Sequence, residues 1–151
     1  MAKLIKFSSF KSDLKREYEG DWIAHPAYPG GAFHVSSFNK PEYEIAKDLL
    51  GQRIAREYRG KPRPTSAESQ AFFGVLYAEH ILHDWRGLEF PYSPELAREC
   101  LPNPEYRLLY EVVEWCANQL AVVEVEFVED AAKNSEQPSA GGSKGKQLAT
   151  G

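Results

Sequence analysis

The sequence has few of the features that announce chemistry. It contains no glycine-rich phosphate loop and no dinucleotide fingerprint, so the commonest marks of nucleotide-dependent catalysis are missing. It has two cysteines, Cys100 and Cys116, without a CxxC spacing. Two such thiols in a chain of this size read as small buried apolar residues rather than a disulfide or metal site. Positive charge is not in excess. A formal net charge of −4 argues against a phosphate-binding surface, which needs clustered Lys and Arg, and the mildly basic strip from Arg53 to Arg63 reads as a helix end and loop. No apolar run approaches bilayer-spanning length. The opening Met-Ala-Lys-Leu-Ile-Lys-Phe lacks the long apolar core of a secretory signal, so the expected compartment is the cytoplasm and neither nucleic acid nor membrane is an expected partner.

What is present is enough for one ordinary core: 151 residues, 42% hydrophobic and 13% aromatic. Leu4–Phe7, Trp22–Ala24 and Ala32–Val35 are strand-sized apolar pieces, the last two separated by Pro26, Pro29, Gly30 and Gly31 as in a hairpin. Phe10–Glu17 fits either a helical turn or a strand lead-in. From Pro41 the apolar period becomes helical through Tyr58, with Asn39 a candidate cap and Gly60 the stop. Thr65 and Glu68 form a capping box for the next helix. Its apolar face runs Ala71, Phe72, Val75, Leu76, Ala78, Ile81, Leu82 and Trp85 to a stop at Gly87. Ser93 as N-cap and Pro94 at the first helical position start a short helix that closes at Pro102-Asn103-Pro104. A last helix carries Leu109, Val112, Val113, Cys116, Leu120, Val123 and Phe127 inward and is expected to continue through Glu129, although Val123–Phe127 alternates as a strand would. The expected fold is therefore α+β: a small N-terminal antiparallel β-sheet packed on a mainly α-helical body of about four helices. It occupies residues 1–134. Residues 135–151, rich in Ser, Gly, Gln, Lys and Ala with only Leu148 as a large apolar side chain, read as a flexible tail.

The sharpest enzymatic candidate is the run Glu79 to Asp84. If helical, His80, His83 and Asp84 share a face and make a small metal-dependent hydrolase a reading to weigh. The spacing departs from HExxH, however, and a further ligand would have to come from His25, His34 or a remote carboxylate, none of them nearby in sequence. Histidines at a helix C-terminus are the ordinary explanation. Carboxylates such as Glu17 with Glu19, or Glu124 with Glu126, look like a solvated face. The residues therefore point to no enzyme, no cofactor and no resident metal. The aromatic set Trp85, Phe90, Tyr92, Tyr106, Tyr110 and Trp115 is expected in the core, with part of it available as a docking surface for an apolar helix.

The order Ile81-Leu82-His83-Asp84-Trp85-Arg86-Gly87, an aromatic loop, Pro91-Tyr92-Ser93-Pro94-Glu95, then Leu101 to Pro104 before a long helix resembles the tail assembly chaperones of long-tailed bacteriophages. Glu19-Gly20-Asp21-Trp22, Phe33-His34-Val35 and Pro41-Glu42-Tyr43 extend the likeness over about residues 4–130. The loop Leu88-Glu89-Phe90 is shorter than is usual there, and Leu96 stands where the family often has Asn. The resemblance implies a non-enzymatic protein of the host cell cytoplasm that coats the tape-measure protein until tube subunits replace it. It leaves room for contact with the tail-tube protein and for self-association. It assigns contacts to Trp85, Phe90 and Tyr92. It also implies a longer form made by a backward ribosomal frameshift, for which Lys144-Gly145-Lys146 is compatible with a slippery run of codons. The rival structural reading is a head–tail joining or tail-completion protein of the virion.

Overall fold

The computed structural model describes residues 2–122 and 124–128, which fall into two compact units, residues 13–122 and residues 2–12 with 124–128. The expected tail and its boundary at residue 134 lie outside the described residues. So do Val123 of the predicted helical stripe and the Lys144-Gly145-Lys146 run.

The larger unit is α+β. Helix α1 (Leu14–Glu19) leads into β1 (Asp21–Ile23) and β2 (Ala32–Val35). Helices α2 (Pro41–Glu57) and α3 (Ser66–Leu76) follow, then a π-helical turn over Tyr77–Ile81 and β3 (Leu82–Arg86). Helices α4 (Pro94–Cys100) and α5 (Arg107–Gln119) complete it. The strands form one antiparallel sheet in the order β1-β2-β3. Its inner face, Phe33, Val35, Leu82 and Trp85, packs with Leu76, Ile81, Leu101, Val113, Cys116 and Leu120 from the helices in a single core.

Local signals behave as the sequence predicts where they act over a few residues. The Thr65 hydroxyl accepts from the Glu68 amide at 3.1 Å, and the Glu68 carboxylate accepts from the Thr65 amide at 2.9 Å. Ser93 caps α4 through the Leu96 amide at 3.0 Å, with Pro94 at the first helical position. Helix α2 starts with Lys40 at the cap position and no side-chain cap. Asn39, the expected cap, instead donates its amide to Glu17 at 2.9 Å. Glu17 is not on a solvated face. It is 4% exposed and also accepts from the Ser37 hydroxyl at 3.1 Å, so its buried carboxyl group is hydrogen-bonded, as a buried polar group must be.

The larger correction concerns Ile81 to Trp85. The expected helix from Thr65 to Gly87 ends early, and Leu82–Arg86 is the third strand. Ser36 is the reason the chain can leave the helix there. Its amide donates to the Ile81 carbonyl at 2.9 Å and its hydroxyl to the His80 carbonyl at 2.8 Å, which satisfies two of the carbonyls a helix end leaves free. Val35 pairs with Leu82 and His34 with Asp84, so His83 is an extra residue, a β-bulge. The bulge separates the inward residues Leu82 and Trp85 by three positions instead of two, which imitates a helical period.

The predicted helix through Glu129 also stops short. Helix α5 ends at Gln119, and Phe127 instead forms an antiparallel bridge with Ile5 in the smaller unit. There the Lys6 amide donates to the Glu126 carbonyl at 2.7 Å and the Val128 amide to the Leu4 carbonyl at 2.8 Å. The Ser9 hydroxyl completes the link by accepting from the Glu126 amide at 2.7 Å. Leu4–Phe7 is thus not a full strand: its end passes into a 3-10 turn, Phe7–Phe10. No helix among the described residues is long and apolar enough to cross a membrane.

Candidate functional site

Trp85 reaches its place because β3 turns its side chain inward, where it is 7% exposed. The strand ends at Gly87, whose φ of 81° belongs to the left-handed region, and a Cβ there would collide with the backbone of Gly30 and Gly31. Strand β3 and the β1–β2 loop therefore meet backbone to backbone. The chain folds back over the indole, which donates its N–H to the Phe90 carbonyl at 2.8 Å. Tyr92 meets the same ring edge-on, with centroids 5.1 Å apart at 88°. The three predicted contact residues are thus brought together, but they differ in kind. Trp85 belongs to the core, Tyr92 is half-buried, and the Phe90 ring, held by its own backbone, is 62% exposed.

Beside this loop lies an apolar groove of about 220 Å³ lined by Tyr28, Gly31, Phe33, Leu88, Leu108, Leu109 and Val112. Phe33 and Val112 are buried and form its floor, whereas Tyr28, Leu88 and Leu108 are exposed walls. Sequence reasoning missed these walls. One available signal was Leu108, an apolar residue next to the inward stripe of α5 but outside it.

The histidine run is dispersed by the change from π-helix to strand. His80 sits in the last helical turn, His83 at the bulge, and Asp84 on the exposed side of β3, where its carboxylate accepts from the Trp85 amide at 2.8 Å. Because the Ser36 hydroxyl gives its proton to the His80 carbonyl, its oxygen accepts from Nε2 of His83 at 3.0 Å. That contact fixes the Nε2–H tautomer. Burial, helped by the charges of Lys40, His34 and His80, lowers the pKa of His83 to about 4, so the ring is neutral at physiological pH. Among the described residues no group of three or more His, Cys, Asp or Glu is placed to hold a metal ion. His25 lies against Trp115, with centroids 4.5 Å apart. Both cysteines are buried and free, and burial pushes the Cys116 thiol up to about 11, away from the thiolate a nucleophile requires.

Among the described residues these segments form an apolar groove, with the exposed Phe90 ring in the same loop as its wall Leu88. Residues 38–134 match the family model described as YdaY prophage protein. No curated protein and no solved structure matches the chain.

Proposed function

The chain belongs to the YdaY prophage protein family, and from that premise we propose that it is a tail assembly chaperone. It binds the tape-measure protein of its phage in the host cytoplasm and keeps it soluble until tail-tube subunits polymerise around it. The observation that carries this reading is the apolar groove walled by Tyr28, Leu88 and Leu108, with Phe90 exposed beside it on a backbone pinned by Trp85.

A tape-measure protein is a long amphipathic helix whose apolar stripe must be covered before assembly. A groove of this size takes one large apolar side chain, and the exposed Phe90 adds a second contact, which is helix-in-groove recognition. Placing such residues on a pre-formed surface lowers the ordering cost of binding. The net charge of −4 helps to keep a loaded complex apart from its neighbours. No bond chemistry is needed for this role.

Co-expression tests the proposal. With this chain present, the tape-measure polypeptide is expected in the soluble fraction as a complex, and purified virions are expected to lack the chain. A tape-measure polypeptide as insoluble with the chain as without it would end the proposal. Stoichiometric presence of the chain in virions would favour a head–tail joining role instead.

A further inference from the structure

Helices α2 and α3 run antiparallel. Tyr43, near the start of α2, meets Tyr77, just past the end of α3, with centroids 6.4 Å apart, and Arg53, near the other end of α2, lies 5.4 Å over the Phe72 ring. Between the two helices is a groove of about 510 Å³ whose lining shares no residue with the groove at Leu88. Its apolar side chains stand in water. Leu49 is 61% exposed and Val75 39%, and Ile45, one turn before Leu49 on the same side of α2, is 62% exposed.

Charge is divided along this face. One end carries Glu42 and Glu79, and the other carries Arg53 and Arg56, all four exposed. Glu42 is held in place by the Tyr18 hydroxyl, which donates to it at 2.6 Å. The charges that would blur the division are engaged within the chain: Lys40 sits over the Tyr18 ring at 5.2 Å, and Glu68 closes the Thr65 capping box. Among the described residues Glu42, Glu79, Arg53 and Arg56 form no salt bridge.

An acidic end, an apolar middle and a basic end make a surface complementary to itself about a two-fold axis. Leu49 is the midpoint of the pattern on α2. Glu42 lies seven residues before it and Arg56 seven after, and seven residues are close to two helical turns, so the three share one side of the helix. Antiparallel pairing about Leu49 therefore brings each Glu42 opposite the Arg56 of the other copy, about 10 Å to either side of the axis. Ile45, four residues before the midpoint, meets the stem of Arg53, four after it.

We propose that the α2–α3 face is a two-fold interface between two copies of this chain. Removing Ile45, Leu49 and Val75 from water drives the association, and the rim charges fix its antiparallel register. A partner surface of one sign would satisfy one end of the face and oppose the other, whereas a second copy satisfies both. The inference stands apart from the tape-measure reading, because neither Phe90 nor the groove at Leu88 takes part.

Sedimentation equilibrium of the full chain over a concentration series tests it. The parent chain is expected to form a dimer, and Leu49→Glu, which sets two carboxylates against each other at the axis, is expected to be monomeric with unchanged circular dichroism. Glu42→Lys and Arg56→Glu each place two like-charge pairs across the axis and should each raise the dissociation constant at least about fivefold. An equimolar mixture of the two should recover the parent affinity, because the substituted positions then face each other on one side while the native pair is kept on the other. If Leu49→Glu loses its fold, the charge variants and their mixture carry the test. A parent chain monomeric at every concentration, a dimer unmoved by a folded Leu49→Glu, charge variants as tight as the parent, or a mixture as weak as either variant alone would overturn the proposal.

Discussion

Trp85, in strand β3, and Phe90, in the loop that follows it, stand five residues apart and are joined by a hydrogen bond, yet they belong to different regions. The inner region, Trp85 with Phe33, Leu82 and the helix residues behind them, is closed to solvent. The outer region, Tyr28, Leu88, Phe90 and Leu108, exposes side chains of the same apolar character. Apolarity alone does not separate a core residue from a contact residue. What separates them is the backbone: β3 pairing turns Trp85 inward, and the Trp85–Phe90 hydrogen bond fixes the backbone that leaves the Phe90 ring in water. Substitutions in the inner region should therefore change stability, and substitutions in the outer region should change binding.

The largest effect is expected from Trp85→Ala, which removes a buried ring and leaves a cavity beside Tyr92. It should cost about 3–5 kcal/mol by denaturant titration, and an effect as small as that of a surface mutation would break the distinction. Next is a pH effect at His83. The unfolded ring takes up a proton near pH 6.5, whereas the folded ring resists it to about 4. Stability is therefore fully present above pH 6.5 and is lost as pH falls toward 4, by about 1–2 kcal/mol once solvent screening of the partly exposed ring is allowed for. His83→Gln should flatten that fall in a pH series of melts, and parallel curves for the two proteins would contradict it. Ser93→Ala removes the cap that anchors the far end of the loop and should cost about 1 kcal/mol, read as a shift in the denaturation midpoint. Smallest in stability is the pair Phe90→Ser and Leu108→Ser, each expected within about 0.5 kcal/mol of the parent protein.

How much of this was legible in the sequence depended on the distance over which each instruction acts. The Thr65–Glu68 box and the Ser93–Pro94 start are complete within four residues, so they could be read directly. Strand β3 could not, because the His83 bulge gives Leu82 and Trp85 a helix-like spacing, and the carbonyls that release the chain from the helix are bound by Ser36, more than forty residues earlier. Glu17 looked solvated for a similar reason: its partners Ser37 and Asn39 are twenty or more residues away in sequence. The aromatic trio was found, but its division into one buried, one half-buried and one exposed ring required the strand. The groove walls come from three separate segments that only the hairpin and α5 bring together.

The most direct measurement is the affinity of purified tape-measure helix for the parent chain and for the Phe90→Ser/Leu108→Ser double variant, by calorimetry on samples shown to melt alike. The account predicts a measurable complex with the parent and a loss of at least about tenfold in the double variant, the consequence of removing two apolar anchors. Undiminished affinity in the double variant would contradict the assignment of this outer surface, and no binding by the parent chain would contradict the function itself.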